Sequence, residues 1–166
     1  MEKLYLAKPS PEFEFAFRDM NDEFQGQPQH REYDRFSELL RRIARDEQQP
    51  DNPAYVPMSI YWLVNEGRIL GEIRFRHYLN ESLQQEGGHI GYHIRPSERA
   101  KSYGTAILRL MLDELRSRSL DQVLVTCDTD NLPSARIIER NGGILQSNGI
   151  STLSGKPISR YTIDLA

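Results

Sequence analysis

Three things are scarce in this chain of 166 residues: cysteine, long apolar runs, and an excess of charge of either sign. Cys127 is the single cysteine, so no internal disulfide can form, which suits a reducing compartment. No apolar run approaches the ~20 residues that span a bilayer. The opening MEKLYLAKPS also lacks the apolar core of a secretory signal. A cytoplasmic protein with no membrane partner is therefore expected. The net charge is -3, from 21 basic and 24 acidic residues. A general nucleic-acid binder carries a basic excess, so no nucleic-acid partner is expected. Two phosphate-binding patterns are absent as well: GxxxxGK followed by Ser or Thr, and GxGxxG after a first strand.

What is present suits one domain, residues 1–166. Leu4–Ala7 is short and apolar and is closed by Pro9, as an edge strand is. Ser10 and Pro11 open a helix whose Phe13, Phe17, Met20 and Phe24 recur at helical spacing. A second helix is expected from about Tyr33 to Arg45, and the proline-rich DEQQPDNPAYVP after it reads as a loop. Ile60–Val64 and Ile69–Phe75 flank the turn signal Asn65-Glu66-Gly67, giving a hairpin. After a polar connection, Asn80–Gly87, comes the strand HIGYHIRP, then a basic turn and a long amphipathic helix. QVLVTC reads as a buried strand, and NLPSARIIERNGG as a helix capped by Asn131 and stopped at Gly142. Two strands follow, joined through a turn near Gly155. This order predicts an α/β protein: a central mixed sheet with helices on both faces. HIGYHIRP and QVLVTC should form a parallel crossover, with a ligand beyond their C-terminal ends.

The basic turn, RAKSYGTA, is the most informative stretch. A helix start exposes amides without acceptors and roughly half a positive charge. Arg99 and Lys101 add cations there, and Ser102 and Thr105 add hydroxyls. Gly104 leaves room for a close approach, so a pyrophosphate is the natural guest.

The same residues carry a resemblance. Arg99, Ser102 and Gly104 fall on the Arg/Gln-x-x-Gly-x-Gly/Ala motif that binds acyl-CoA in the GNAT superfamily of N-acetyltransferases. Ser102 stands where the family has its first glycine, and Ala100 where many members have another. Asn131, Ser134 and Gly142 resemble the family's downstream Asn-x-x-Ser/Ala…Gly segment. The similarity is strongest over residues 69–143. It also extends to a branch with an Arg-His pair, here Arg76-His77, and a GGHIGY strand. It implies the GNAT-like acyl-CoA N-acyltransferase fold, acetyl-CoA as cosubstrate, and transfer of an acetyl group to a primary amine on a small molecule or peptide. Pairing as a homodimer, found in many relatives, is a further implication. The pyrophosphate would rest on amides from Ala100 to Thr105, with Lys101 and Tyr103 among them. The pantetheine arm would run along Tyr92, His93 and Ile94 where two central strands splay apart. Asn131 and Ser134 would border the cofactor.

Only a neutral amine attacks a thioester, and an alkylammonium has a pKa near ~10, so a base or water must take its proton. His93, with an ordinary imidazole pKa near ~6.5, is the first candidate base, and Glu72 on the neighbouring strand the second. His77, His89 and Asp128 follow. The tyrosine acid of many relatives is missing: Ile138 occupies its place, seven residues after Asn131. Tyr92, Tyr103 and Tyr161 are candidate substitutes, or the thiolate leaves unaided. His89 and His93 are spaced like helical metal ligands, but a strand separates them by about 13 Å, so no metal is expected. Cys127 reads as a small buried hydrophobe. Two rivals remain: a non-catalytic CoA-binding sensor or scaffold, and transfer to oxygen. Mild overall acidity slightly favours a cationic acceptor.

Overall fold

The computed structural model describes residues 3–166. In chain order its elements are β1 (Tyr5–Ala7), α1 (Glu14–Asp22), α2 (Phe36–Gln48), β2 (Met58–Asn65), β3 (Arg68–Arg76) and α3 (Glu81–Gln85). Then come β4 (Ile90–Ile94), α4 (Tyr103–Leu115), β5 (Gln122–Asp128), α5 (Leu132–Arg140), β6 (Ile144–Ile150) and β7 (Pro157–Asp164). One helix is additional to the sequence reading. The polar connection contains α3, whose start is fixed by Asn80: its Oδ1 accepts from the Leu83 amide at 2.9 Å.

The alternation of β2 explains the layering. Ile60, Trp62 and Val64 face one way and Tyr61 and Leu63 the other, and all five are buried. A half-exposed strand cannot do this, so helices must cover both faces. On the first face Trp62 stacks on Phe17 of α1, with ring centroids 5.1 Å apart, and meets Phe36 of α2. On the other, Leu63, Ile73 and Phe75 share a core with Ile107, Leu108, Met111 and Leu112 of α4 and Val123 and Val125 of β5. Each such side chain contributes roughly 1.5–3 kcal/mol on burial.

The sheet is split. β1-β2-β3-β4 form one antiparallel sheet and β5-β7-β6 a second. β4 and β5, expected from the sequence as a parallel crossover within one mixed sheet, fall in separate sheets and do not pair along their length. Among the described residues they meet at one isolated bridge, Gly88↔Val125, where the His89 amide donates to the Leu124 carbonyl at 2.8 Å. His89 tightens the junction, its Nδ1 accepting from the Leu124 amide at 2.9 Å. Only glycine fits beside it: Gly88 has φ +60°, and a Cβ there would stand 2.4 Å from the Leu124 carbonyl oxygen. Beyond this pin the two sheets separate, and the gap opens toward the start of α4. None of the described helices is long and apolar enough to cross a membrane.

Candidate active site

The gap exposes one edge of β4. The Arg76 amide donates to the His89 carbonyl and the Arg95 amide to that of Leu70, so Gly91, His93 and Arg95 turn their main-chain groups toward β3. In an antiparallel ladder the intervening residues point theirs the other way. The amides and carbonyls of Tyr92 and Ile94 therefore line the gap, and those of His93 do not. The Ile94 carbonyl accepts from Arg99 Nε at 3.3 Å, which leans the Arg99 side chain along the gap floor.

At the end of β4 the chain makes one 3-10 turn, Pro96–Glu98, and then the basic turn. Ala100 and Ser102 both take positive φ, 59° and 66°. The substitutions at these glycine positions are thus not absorbed by ordinary helical dihedrals. The backbone keeps the left-handed shape and two L-residues carry the strain, on the order of 1 kcal/mol each. Ser102 makes no side-chain cap, and the first helical bond runs from the Ala106 amide to the Ser102 carbonyl at 3.1 Å. Ahead of it, the amides of Gly104 and Thr105 have no acceptor within the helix. Gly104 serves packing as much as access. A Cβ there would lie 2.5 Å from Ile137 Cδ1, so its absence lets α5 approach α4.

These parts enclose a cleft of about 560 Å³. Of the sequence-predicted residues, Tyr92, His93, Ile94, Arg99, Ala100, Ser102, Tyr103, Gly104, Thr105, Asn131 and Ser134 line it. Lys101 does not. It is paired with Glu98 at 3.0 Å, and Arg68 binds the same carboxylate. That pairing neutralises the one acid in the cleft wall, whose pKa is lowered by Lys101 first and then by Arg68. On the α5 side, where Asn131 and Ser134 were expected, sequence reasoning missed Pro133, Arg136, Ile137 and Arg140. Their i, i+3, i+4, i+7 spacing on a helix after the Asn131 cap was the available signal. Asn131 shapes this wall, its Oδ1 accepting from the Ser134 amide at 3.2 Å.

Across the gap the Tyr92 hydroxyl lies 3.0 Å from that of Ser134. Burial raises the Tyr92 phenol to about 12, against some lowering by Ser134, so it keeps its proton at neutral pH. Burial likewise raises the Cys127 thiol. Ile138 is fully buried in the core and Tyr161 is buried on β7, outside the cleft lining.

His93 stands in the cleft, edge-on to Phe24 at 5.0 Å. Burial lowers its pKa to about 4. Glu72 opposes that shift, and Arg74, Arg31 and Arg99 reinforce it. His93 is therefore a neutral imidazole across the physiological range. Glu72, its register partner on β3, is buried and does not line the cleft. Arg31 Nη2 and Arg74 Nε donate to its Oε1 at 2.7 and 2.9 Å, and Trp62 Nε1 to its Oε2 at 3.1 Å. Burial alone would raise its pKa, but Arg31, Arg74 and His93 outweigh it and hold the carboxylate at about 2. A carboxylate so engaged has little basicity left. His77 is likewise committed, its Nε2 2.7 Å from Ser59 Oγ.

A split sheet, an exposed strand edge at the split and a positively charged helix start beside it define an acyl-CoA-binding architecture. The chain belongs to the GNAT acetyltransferases: residues 4–144 match the family model of the acetyltransferase (GNAT) domain. No curated protein sequence matches it. Among solved structures it is similar to RimL, the ribosomal L7/L12 alpha-N-protein acetyltransferase in complex with coenzyme A. The TM-score is 0.68 at 15% identity, over 98% of this chain and 96% of that one. It is similar to the microcin C7 self-immunity acetyltransferase MccE, in complex with acetyl-CoA and AMP, with TM-score 0.66 at 15% identity over 98% and 92%. It is also similar to a spermidine N-acetyltransferase chimera of SpeG from Vibrio cholerae and hSSAT, with TM-score 0.65 at 14% identity over 98% and 95%. At these identities the likeness establishes the fold. Family membership makes the chain an acetyltransferase.

Proposed function

We propose that the chain moves an acetyl group from acetyl-CoA to a primary amine, with the cleft between β4 and α5 as its cofactor site. The observation that carries this reading is the convergence in one cleft of the outward β4 edge, the amides of Gly104 and Thr105, and Arg99, Arg136 and Arg140. The amides and Arg99 would hold the diphosphate. Arg136 and Arg140 supply further charge for the phosphates of CoA. The outward amides and carbonyls of Tyr92 and Ile94 would pair with the pantetheine arm. When bound, acetyl-CoA supplies the activated acyl group, and everything else falls to the chain.

An outward β4 amide would stabilise charge building on the thioester carbonyl oxygen. The Tyr92 hydroxyl, supported by Ser134, takes the role of the missing tyrosine. Its pKa lies well above that of a thiol, near ~8.5, so it stabilises the departing sulfur by donating a hydrogen bond and keeps its own proton. The substrate amine loses its proton to water before attack, because neutral His93 and the engaged Glu72 are both weak acceptors. His93 accepts a hydrogen bond from the amine and orients it.

A CoA-binding sensor or scaffold is the competing reading, supported by the absence of the usual tyrosine and of the first motif glycine. The Tyr92–Ser134 pair and the left-handed backbone kept at Ser102 both weigh against it. The spermidine and protein acetyltransferases of similar fold act on amines, which favours nitrogen over oxygen as the acceptor. Thiol release from acetyl-CoA across panels of amines and alcohols, with products identified by mass spectrometry, tests the assignment. Acetylated amine is expected. Tight CoA binding with no turnover on any acceptor would leave the scaffold.

A further inference from the structure

The face of β3 and β4 that carries His93 also carries an excess of positive charge. Arg31, from the segment between α1 and α2, and Arg74 of β3 share one carboxylate, Glu72, and both use the same oxygen. His93 is uncharged, so the group holds two cations and one anion. Arg42 acts on Arg31, and Arg99 on His93, with the same sign. Two acids at the end of α1 and just after it give no relief: Asp19 and Glu23 are bound to Arg95 at 2.7 and 2.5 Å.

Two geometric facts show that this charge has capacity to spare. Arg31 Nη1 is buried and has no hydrogen-bond partner among the described residues. A buried donor without an acceptor is rare and costly. Arg74 keeps a third of its side chain exposed. It lies opposite Gly91 in register, where a Cβ would meet nothing within 4 Å. The space beside Arg74 is thus open over Gly91, two residues along β4 from His93.

We propose that the acceptor amine carries a carboxylate, received by Arg74 and Arg31 on the open β3–β4 face beside His93. This rests on the acetyl-transfer reading and names the class of its second substrate. An incoming carboxylate would restore charge balance and offer an acceptor to the idle Arg31 donor, and a guanidinium matches it with two parallel bonds. A polycation such as a polyamine would meet like charge at the same place. The local field thus reverses the expectation drawn from net charge, which is dominated by acids elsewhere on the surface.

Matched acceptors test this: amino acids and short peptides with a free C-terminal carboxylate, the same compounds amidated, and spermidine. Acetyl-CoA is held saturating and kcat/KM is compared. The free carboxylate should be preferred at least about tenfold over its amide, and Arg74→Gln should bring that ratio toward one by raising KM for the carboxylate form. Equal or better use of the amides or of spermidine overturns the proposal, as does an unchanged ratio in Arg74→Gln. Calorimetric titration of each matched pair into the CoA-loaded protein tests the same preference independently of turnover. Binding of the carboxylate form alone supports the proposal, and no difference refutes it. Failure of the wild-type protein to bind CoA would strike the acetyl-transfer reading itself, and is seen in the first titration.

Discussion

The hydroxyls of Tyr92 and Ser134 meet at 3.0 Å across the gap between β4 and α5. This pair links β4 to α5 across the gap where a thioester lying along β4 would end. If Tyr92 donates to the departing sulfur, Tyr92→Phe should lower kcat about a hundredfold while CoA affinity changes severalfold at most. Ser134→Ala should cost less. The wild-type rate should show no descending alkaline limb below pH 10, since the phenol stays protonated up to about 12. Steady-state rates of the three proteins over pH 6–10 check this. Full activity in Tyr92→Phe would remove it from the chemistry.

Arg99 leans along the cleft through its bond to the Ile94 carbonyl and is not part of the core. Arg99→Glu should therefore weaken CoA binding at least tenfold, about 1.4 kcal/mol or more, and leave the melting temperature within about 2 °C. Arg140→Glu should act in the same direction more weakly, as one member of a pair with Arg136. Isothermal titration on the folded variants decides, and unchanged affinity in Arg99→Glu would dislodge the phosphates from this corner.

Ser102 holds φ 66° at the cap of α4 with no side-chain bond to compensate. Ser102→Gly should relieve that strain. The gain is offset partly by the flexibility glycine adds to the unfolded chain, leaving about 0.5 kcal/mol. Thermal unfolding should shift upward by roughly 1–2 °C. An unchanged or lower midpoint would mean that Ser102 bears no strain.

The imidazole of His93 gives stability a definite pH dependence. Its folded pKa lies below the unfolded value, about 4 against 6.5, with burial the largest cause. Above pH 6.5 neither state is protonated and the contribution is complete. As pH falls from 6.5 toward 4 the unfolded chain takes up a proton that the folded one refuses, so stability is lost through that window. The loss is roughly 1–3 kcal/mol. Glu72, held at about 2 against 4.5, adds its own loss below pH 4.5. Urea midpoints at pH 7 and pH 5 measure the effect, and His93→Gln should flatten the difference. An equal drop in that variant would assign the loss to other groups.

The layout was legible where local pattern decides it. Asn131 caps α5 and the spacing of Ile107, Leu108 and Met111 orients α4, because both depend on neighbours within one or two turns. Arg99 and Gly104 were found for the same reason. The left-handed turn at Ala100 and Ser102 was visible only as departures from a glycine pattern. Its strain became apparent with the backbone angles. Glu72 shows what sequence hides. A carboxylate next to a histidine reads as a base until Arg31, 41 residues away in sequence, is seen to bind it. Lys101 is similar: its charge counts toward a phosphate site until Glu98 is found to hold it. Both outcomes depend on tertiary pairing, which no local window contains.

The corner where β4 ends and α4 begins is tested most directly by a crystal structure with coenzyme A at saturating concentration. The diphosphate should lie within hydrogen-bond reach of the Gly104 and Thr105 amides, with the pantetheine arm along Tyr92 and Ile94 and the thiol toward Tyr92 and His93. Coenzyme bound on another surface, or a cleft still empty at saturation, would contradict the assignment.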